Sequence, residues 1–217
     1  MLIDKSITDF VDELASDSPM PGGGGVAALA GTLGAGLGLM VCNLTEGKET
    51  FKDIQEPIAK LKQEGIRLKA ELLRGIDGDG HSYLGIVNAY KLPKSNETET
   101  LVRKNAVQEA SKEAARFSLS VGQNCLQVMK FSIDVVQYGN PNAASESLAC
   151  GLLAYAGVYA ALATAEINLA SIHDYLFVQD ILEISIPTKD QAEVLKKKIT
   201  LEVAKRIVIN DSILILN

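Results

Sequence analysis

The sequence has no tryptophan, and it contains only two histidines and three cysteines among 217 residues. Zinc sites draw mainly on cysteine and histidine at short, regular spacings. His81 and His173 stand far apart, and Cys42, Cys125 and Cys150 form no C-x-x-C pair. We therefore expect no metal site. The apolar surroundings of the cysteines are typical of small core residues in a reducing compartment.

The sequence is also short of positive charge. Its 21 lysines and arginines are outnumbered by 27 acidic residues, which gives a formal net charge of −6. No stripe of basic residues alternates with aromatic ones, so nucleic acid is not an expected partner. The densest basic run, residues 196–198, has the composition of a solvated helix face. The N-terminus lacks the pattern of a secretory signal, and this favours the cytoplasm.

Two stretches, residues 22–44 and 147–165, contain no charged side chain at all. Each is about long enough to span a bilayer. Both are diluted by glycine, alanine and serine, and acidic residues flank them without the basic bias that membrane helices usually carry. We interpret them as buried core helices and expect no membrane partner.

Elsewhere, apolar residues recur at steps of three and four, which predicts amphipathic helices. These helices are predicted at residues 2–15, 51–75, about 80–91, 98–138 and 188–210, with a second apolar helix at 143–170. The strand-like runs at 181–186 and 212–216 are too isolated to predict a sheet. The sequence therefore predicts one all-α domain over residues 1–217, a bundle of long helices around two apolar, Ala/Gly-rich helices. Because the chain is small for enclosing both, we expect a two-fold homodimer.

A run of four glycines opens the first apolar helix, in the order Pro21, Gly22, Gly23, Gly24, Gly25. A dinucleotide site would need a preceding strand, and a P-loop would need a following Gly-Lys-Ser/Thr; neither is present. Two interpretations stay open. The bare amides at the helix start could bind a ligand, or the glycines could let the chain turn tightly and pack against another helix.

Three segments carry a family resemblance: "SPMPGGGGVAALAGTLGAGLGLMVCNLT", "DGDGHSYLGIVNAYKLPK" and "GNPNAASESLACGLLAYAGVYAALATAEINL". In order and spacing they resemble the cyclodeaminase/cyclohydrolase family. That family comprises the cyclodeaminase domain of formiminotransferase-cyclodeaminase and free-standing bacterial methenyltetrahydrofolate cyclohydrolases. The resemblance covers essentially the whole chain. It implies an all-α homodimer that acts on a tetrahydrofolate one-carbon adduct, without metal or a tightly bound cofactor.

The chain departs from the family pattern at three positions. Gly25 stands where the family usually has serine, Glu146 follows Ser145 where aspartate is usual, and Thr164 stands where asparagine is frequent. These departures concern contacts with the substrate more than the fold.

The middle segment supplies candidate catalytic residues. The methenyl carbon of the implied substrate is a delocalised cation, so a nearby carboxylate could stabilise it and move a proton. Asp79 or Asp77 is predicted to be this acid/base, and Lys94 to meet the carboxylate tail of the folate or orient the acid. Asp77 would share a helix face with His81, and Asp79 with Tyr83, a predicted substrate contact. The alternative is that "DGDG" forms a turn whose acids cap the next helix.

Three asparagines complete the predicted substrate site. Asn140 and Asn142 offer the donors and acceptors that the polar edge of a pterin requires, although both could equally be turn and cap residues. Asn168 interrupts an apolar helix and would need partners if buried. The favoured function is methenyltetrahydrofolate cyclohydrolase. The alternatives are formiminotetrahydrofolate cyclodeaminase and a folate-binding helical protein without catalysis.

Overall fold

The structure, a computed structural model, describes residues 1–206. Over these residues the chain forms six α-helices and no strand, and short 3-10 turns lie at Leu2–Asp4, Glu49–Ile54 and Pro141–Ala143. The helices are α1 (Ile7–Leu14), α2 (Gly23–Thr45), α3 (Gln55–Tyr90), α4 (Glu97–Tyr138), α5 (Ala144–Leu169) and α6 (Tyr175–Ala204). The predicted all-α bundle is confirmed. The run at 212–216 and the end of the predicted terminal helix, 207–210, lie outside the described residues.

The two uncharged helices, α2 and α5, pack against each other in antiparallel directions. A Cβ atom added to Gly34 would lie 2.7 Å from the carbonyl oxygen of Cys150, and one added to Gly157 would lie 2.9 Å from that of Ala27. The backbones therefore touch at two points, which only glycine allows. Helices α3 and α4 also contact α2, and α6 packs on α4 and α5.

By length and composition alone, α2 and the segment Pro141–Leu169 could each cross a membrane. In the bundle, 61% of the most apolar window of α2 is buried, and 44% of the window in Pro141–Leu169. The interpretation of the two stretches as core helices is confirmed.

Helix α3 differs from the prediction, because one continuous helix replaces the two predicted at 51–75 and about 80–91. The glycines that suggested a break serve close packing instead. A Cβ on Gly78 would lie 2.4 Å from the ring of Phe117, and one on Gly80 would lie 2.7 Å from Met20 Sδ. The interpretation of "DGDG" as a turn is therefore wrong, and both of its acids lie inside the helix.

Helix α6 begins earlier than predicted and includes residues 181–186, which carried a strand-like pattern. Pro187 lies just before the predicted helix start at residue 188, and a proline lacks an amide donor and disturbs a helix interior. The helix continues through it, and the Thr188 hydroxyl donates a hydrogen bond of 2.7 Å to the Ile184 carbonyl.

The N-terminal residues also differ from the single helix predicted at 2–15. The first turn ends at Asp4, and α1 begins after Ser6, whose hydroxyl accepts a bond of 3.1 Å from the amide of Asp9. Such a cap starts a new helix rather than extending an old one. Of the apolar residues in α1, only Phe10 is buried, whereas Ile7 is 86% exposed.

Candidate active site

The glycine run forms the start of α2, and a side chain from another helix covers it. Gly22 is the N-cap, but no side chain of its own segment caps the helix and the first turn holds no acidic residue. The first amides of a helix need partners from outside the helix. The Asp79 carboxylate of α3 lies beside these amides, close enough for the Gly25 amide to lower its pKa. The positive end of the helix dipole also favours a carboxylate there.

Gly24 allows this contact through its missing side chain. A Cβ on Gly24 would lie 2.0 Å from Asp79 Oδ1 and 2.6 Å from Cγ, whereas one on Gly22 would stay 3.7 Å from Oδ2. The carboxylate thus rests directly on the backbone at Gly24. Close packing against another helix, the second of the two interpretations of the glycine run, is therefore present at Gly24.

Two opposing effects act on the pKa of Asp79. Burial raises it above the ordinary aspartate value, and the nearby Gly25 amide acts in the opposite direction. Burial is the larger effect. An acid whose pKa moves toward neutrality exchanges protons more readily at physiological pH, which suits acid/base catalysis.

A cavity of about 180 Å³ opens above Asp79. The loop before α2 forms its floor, and α3, α4 and α5 form its walls. The residues lining it are Pro19, Met20, Gly22, Gly23, Gly24, Asp79, Ser82, Tyr83, Ile86, Ala114, Ser118, Thr164 and Asn168. Six of these, namely Gly22, Gly23, Gly24, Asp79, Tyr83 and Asn168, were predicted from the sequence. Asn168 is held by its side-chain nitrogen, which donates a bond of 3.0 Å to the Thr164 carbonyl.

Two other predicted residues lie beside this cavity without lining it. Pro21 is buried at the end of the loop. Gly25 faces α3, because a Cβ there would lie 3.1 Å from the carbonyl oxygen of Ile76. A serine at position 25 would therefore press on the α3 backbone.

Asp77 belongs to a different surface of α3. Residues two apart on a helix point about 200° away from each other, so Asp77 and Asp79 cannot share a cavity wall. Asp77 is 8% exposed, and its Oδ1 accepts a hydrogen bond of 2.5 Å from the Leu2 amide. It lines a second cavity, of about 320 Å³, together with His81.

Lys94 lies beyond the end of α3 and is exposed. It lines a third cavity, of about 580 Å³, together with Tyr90, Arg103, Lys104 and His173 among others. Within one chain, Lys94 does not line the Asp79 cavity.

Asn140 and Asn142 lie in the turn between α4 and α5. The Asn140 side chain accepts a bond of 3.0 Å from the Asn142 amide, and its own amide donates 2.9 Å to Thr45 Oγ1. Thr45 ends α2, so these asparagines and Gly22 lie at opposite ends of a helix that is about 33 Å long. The chain does not bring them together with Asp79. For Asn140, the structure shows the turn and cap role.

Three polar residues of the cavity were not predicted as site residues, namely Ser82, Ser118 and Thr164. Thr164 was noted only as a departure from the family pattern. Ser82 lies next to Tyr83 in the middle segment, so its neighbourhood could have indicated it. Nothing local marks Ser118 within the long α4 pattern. Over residues 1–206, no cluster of three histidine, cysteine, aspartate or glutamate side chains could hold a metal ion.

Comparison with known proteins identifies the family of this chain. Residues 6–184 match the family model described as formiminotransferase-cyclodeaminase. The methenyltetrahydrofolate cyclohydrolase of Methylorubrum extorquens is 34% identical over 82% of this chain and 86% of its own length. The formimidoyltransferase-cyclodeaminase of Rattus norvegicus is 30% identical over 81% of this chain, which spans 32% of that protein.

A solved structure agrees with these matches. The crystal structure of formiminotetrahydrofolate cyclodeaminase from Thermotoga maritima superposes with a TM-score of 0.84 at 25% identity, over 94% of this chain and 98% of the other. Fold, motifs and sequence identity agree, and the chain belongs to the formiminotransferase-cyclodeaminase family.

Proposed function

We propose that this protein is a methenyltetrahydrofolate cyclohydrolase, which interconverts 5,10-methenyl- and 10-formyltetrahydrofolate. The observation that carries the proposal is Asp79, a carboxylate of raised pKa that rests on the α2 helix start and lines a cavity. Hydrolysis of the methenyl group needs water to attack a cationic carbon, and a proton must then leave that water. In this proposal Asp79, while ionised, stabilises the cation and accepts the proton of the attacking water. It returns this proton to N5 as the bond between N5 and the one-carbon centre breaks, and the new hydroxyl group loses its own proton to solvent as the formyl C=O forms on N10.

The remaining lining residues have supporting roles in the proposal. The hydroxyls of Tyr83 and Ser118 and the side-chain oxygen of Asn168 provide hydrogen-bond partners for the polar ring of a folate. No resident cofactor or metal is part of the proposed reaction, because water attack on an already cationic carbon requires only proton transfer and charge stabilisation.

The cyclohydrolase assignment rests on the Methylorubrum extorquens relative, which matches this chain along most of both lengths. Formiminotetrahydrofolate cyclodeaminase is the second candidate, supported by the structural neighbour from Thermotoga maritima. The cyclic methenyl species is the substrate of the first reaction and the product of the second, so the same carboxylate could serve either.

The experiment offers purified protein both substrates. Loss of the methenyl absorbance at a rate proportional to enzyme concentration supports the cyclohydrolase, and ammonia release from the formimino substrate supports the cyclodeaminase. The same substrates incubated without protein provide the control for non-enzymatic hydrolysis. If neither reaction exceeds that control while calorimetry detects binding of a tetrahydrofolate, the protein binds folate without catalysis, and the enzymatic proposal is wrong.

The predicted interaction of Lys94 with the substrate tail is part of this proposal. The third cavity lies along the same faces of α3 and α4 as the Asp79 cavity. On α3, Tyr83 lines the Asp79 cavity and Tyr90, two turns later, lines the third cavity; on α4, Ala114 lines the Asp79 cavity and Val107 lines the third cavity. Among residues 1–206, no acidic side chain lines it. A volume of 180 Å³ is below the range of about 300 to 1,000 Å³ that is usual for ligand pockets, so the tail of a bound folate must extend further. Lys94 and its cationic neighbours suit that tail's carboxylates.

A two-fold homodimer in the cytoplasm, with residues 1–217 as one functional domain, completes the proposal. Apolar side chains on the outer faces of α2 and α3, including Leu33, Met40, Ile66 and Leu73, are each more than a third exposed. In this proposal a second copy covers these exposed apolar side chains. The predicted substrate contacts of Asn140 and Asn142 require such a second copy.

A further inference from the structure

We propose that Asp77 is a positioning residue. By holding the backbone of Leu2, it fixes the N-terminal segment, residues 1–20, whose last two residues form part of the wall of the Asp79 cavity. The inference rests on the proposed function for its kinetic readout. It assigns Asp77 a role different from that of a catalytic acid.

The first observation is the contact itself. The Leu2 amide donates a hydrogen bond of 2.5 Å to Asp77 Oδ1, between residues 75 positions apart. The other carboxylate oxygen, Oδ2, is buried and has no hydrogen-bond partner among the described residues. Burying a carboxylate oxygen without a partner is unfavourable. An apolar residue would fill this position at lower cost, so the bond to Leu2 gives the carboxylate a reason to be there.

The second observation is that both ends of the N-terminal segment contact the same turn of α3. Leu2 is bound at Asp77, and the Met20 side chain packs so closely on Gly80 that a Cβ there would lie 2.7 Å from its sulfur. Between these contacts, Phe10 of α1 is buried in the core. The Ser18 hydroxyl donates 2.6 Å to the Met20 carbonyl and so fixes the last turn of the segment.

The third observation connects this segment to the candidate site. Pro19 and Met20 line the Asp79 cavity opposite α4 and α5, and they lead directly into the glycine run. Met20 and Asp77 also line the second cavity together. Asp77 therefore lies behind the wall of the cavity rather than inside it. A displacement of the segment would reach the substrate through Met20, with Asp79 left in place.

The test uses two pairs of variants of the full chain. Leu2→Pro removes the amide donor, and proline is tolerated at the first position of a helical turn; Leu2→Ala keeps the donor and is its control. Asp77→Ala removes the acceptor, whereas Asp77→Asn keeps an oxygen that can accept from Leu2. We expect Leu2→Pro and Asp77→Ala to raise KM about tenfold, the scale of one hydrogen bond to a charged group. Their kcat should stay within about threefold of wild type.

Amide hydrogen exchange provides a readout that does not depend on activity. Exchange within residues 1–20 should accelerate in Leu2→Pro and Asp77→Ala, and should remain near wild type in Leu2→Ala and Asp77→Asn. If Asp77→Ala does not fold, the Leu2 pair still tests the proposal.

Two results would overturn the inference. A kcat in Asp77→Asn as low as in Asp79→Asn would make Asp77 catalytic. Unchanged KM and exchange in Leu2→Pro would show that the bond positions nothing. If the wild type turns over no folate adduct, the proposed function fails, and the exchange experiment still decides whether Asp77 holds the segment.

Discussion

The contact between Gly24 and Asp79 predicts that a single methyl group at position 24 inactivates the enzyme without unfolding it. The Cβ of Gly24→Ala would begin 2.0 Å from Asp79 Oδ1, whereas real Cβ contacts are essentially never under 3.0 Å. The carboxylate must therefore move by about 1 Å or more. Because it is the far end of a side chain, rotation about its bonds can relieve the clash and the helices can stay in place.

The expected cost falls on catalysis. A displacement of about 1 Å at a reacting group can lower a rate by about 100-fold, and we expect a loss of this size in kcat/KM. The displaced carboxylate also loses the Gly25 amide, which holds its pKa down. The pKa of Asp79 should therefore rise further, and the acid limb of the pH–rate profile should move to higher pH.

Gly85→Ala is the matched control, since Gly85 is an exposed glycine within α3 and a Cβ there meets nothing within 4 Å. Exchange of glycine for alanine within a helix stabilises by about 1 kcal/mol, so this variant should be more stable and fully active. Urea unfolding and kcat/KM, measured for both variants, make the comparison. If folded Gly24→Ala keeps kcat/KM within about threefold of wild type, the catalytic role of Asp79 against the helix start is refuted.

Three further predictions concern charge and assembly. Asp79→Asn should lower turnover about 100-fold or more. Because burial raises the pKa of Asp79 above 3.8, ionisation of Asp79 disfavours the folded state as pH rises through that raised pKa. In thermal unfolding, the stability of Asp79→Asn relative to wild type should therefore increase as pH rises above 3.8. Arg103→Gln should raise KM about threefold to fivefold for a folate with several glutamates and less for one with a single glutamate. The control Lys130→Gln, on the same helix outside the cavity, should change neither KM. If Arg103→Gln and Lys130→Gln have equal effects on KM, the third cavity is not the site of the folate tail. Met40→Asp should halve the mass measured by light scattering, and an unchanged mass would remove the outer face of α2 from the dimer interface.

The all-α architecture could be predicted because helix periodicity and charge-free stretches are local signals. The errors occurred where local signals compete with packing. Glycines at positions 78 and 80 suggested a turn, but Phe117 and Met20 occupy the space that their side chains would fill. The terminal helix was predicted to begin at residue 188, but α6 begins at Tyr175 and continues through Pro187, in contact with α4 and α5. In both places tertiary contacts outweigh a propensity of a few kcal/mol at most.

The candidate site could be predicted only in part, for a related reason. The three motifs indicate which residues matter, but spacing along the chain does not say which ends of the helices meet. Asp79 and the glycines meet because α2 and α3 run antiparallel, whereas Asn140 lies at the far end of α2. Ser118 had no local signal at all, and only the packing of α4 beside α3 and α5 brings it to the cavity.

The role of the fourth glycine, Gly25, follows from this arrangement of α2 and α3. Gly25 does not face the cavity; its amide lowers the pKa of the nearby Asp79 carboxylate, and a Cβ at position 25 would lie 3.1 Å from the Ile76 carbonyl oxygen. A serine there would need α3 to shift by a few tenths of an ångström. In return, its Cβ, at 3.8 Å from Asp79 Oδ2, would bring a hydroxyl within reach of the carboxylate. With Gly25, this chain has the closer approach of α2 to α3 and lacks the serine hydroxyl. The Gly25 amide is consequently the group that holds the pKa of Asp79 down against the effect of burial.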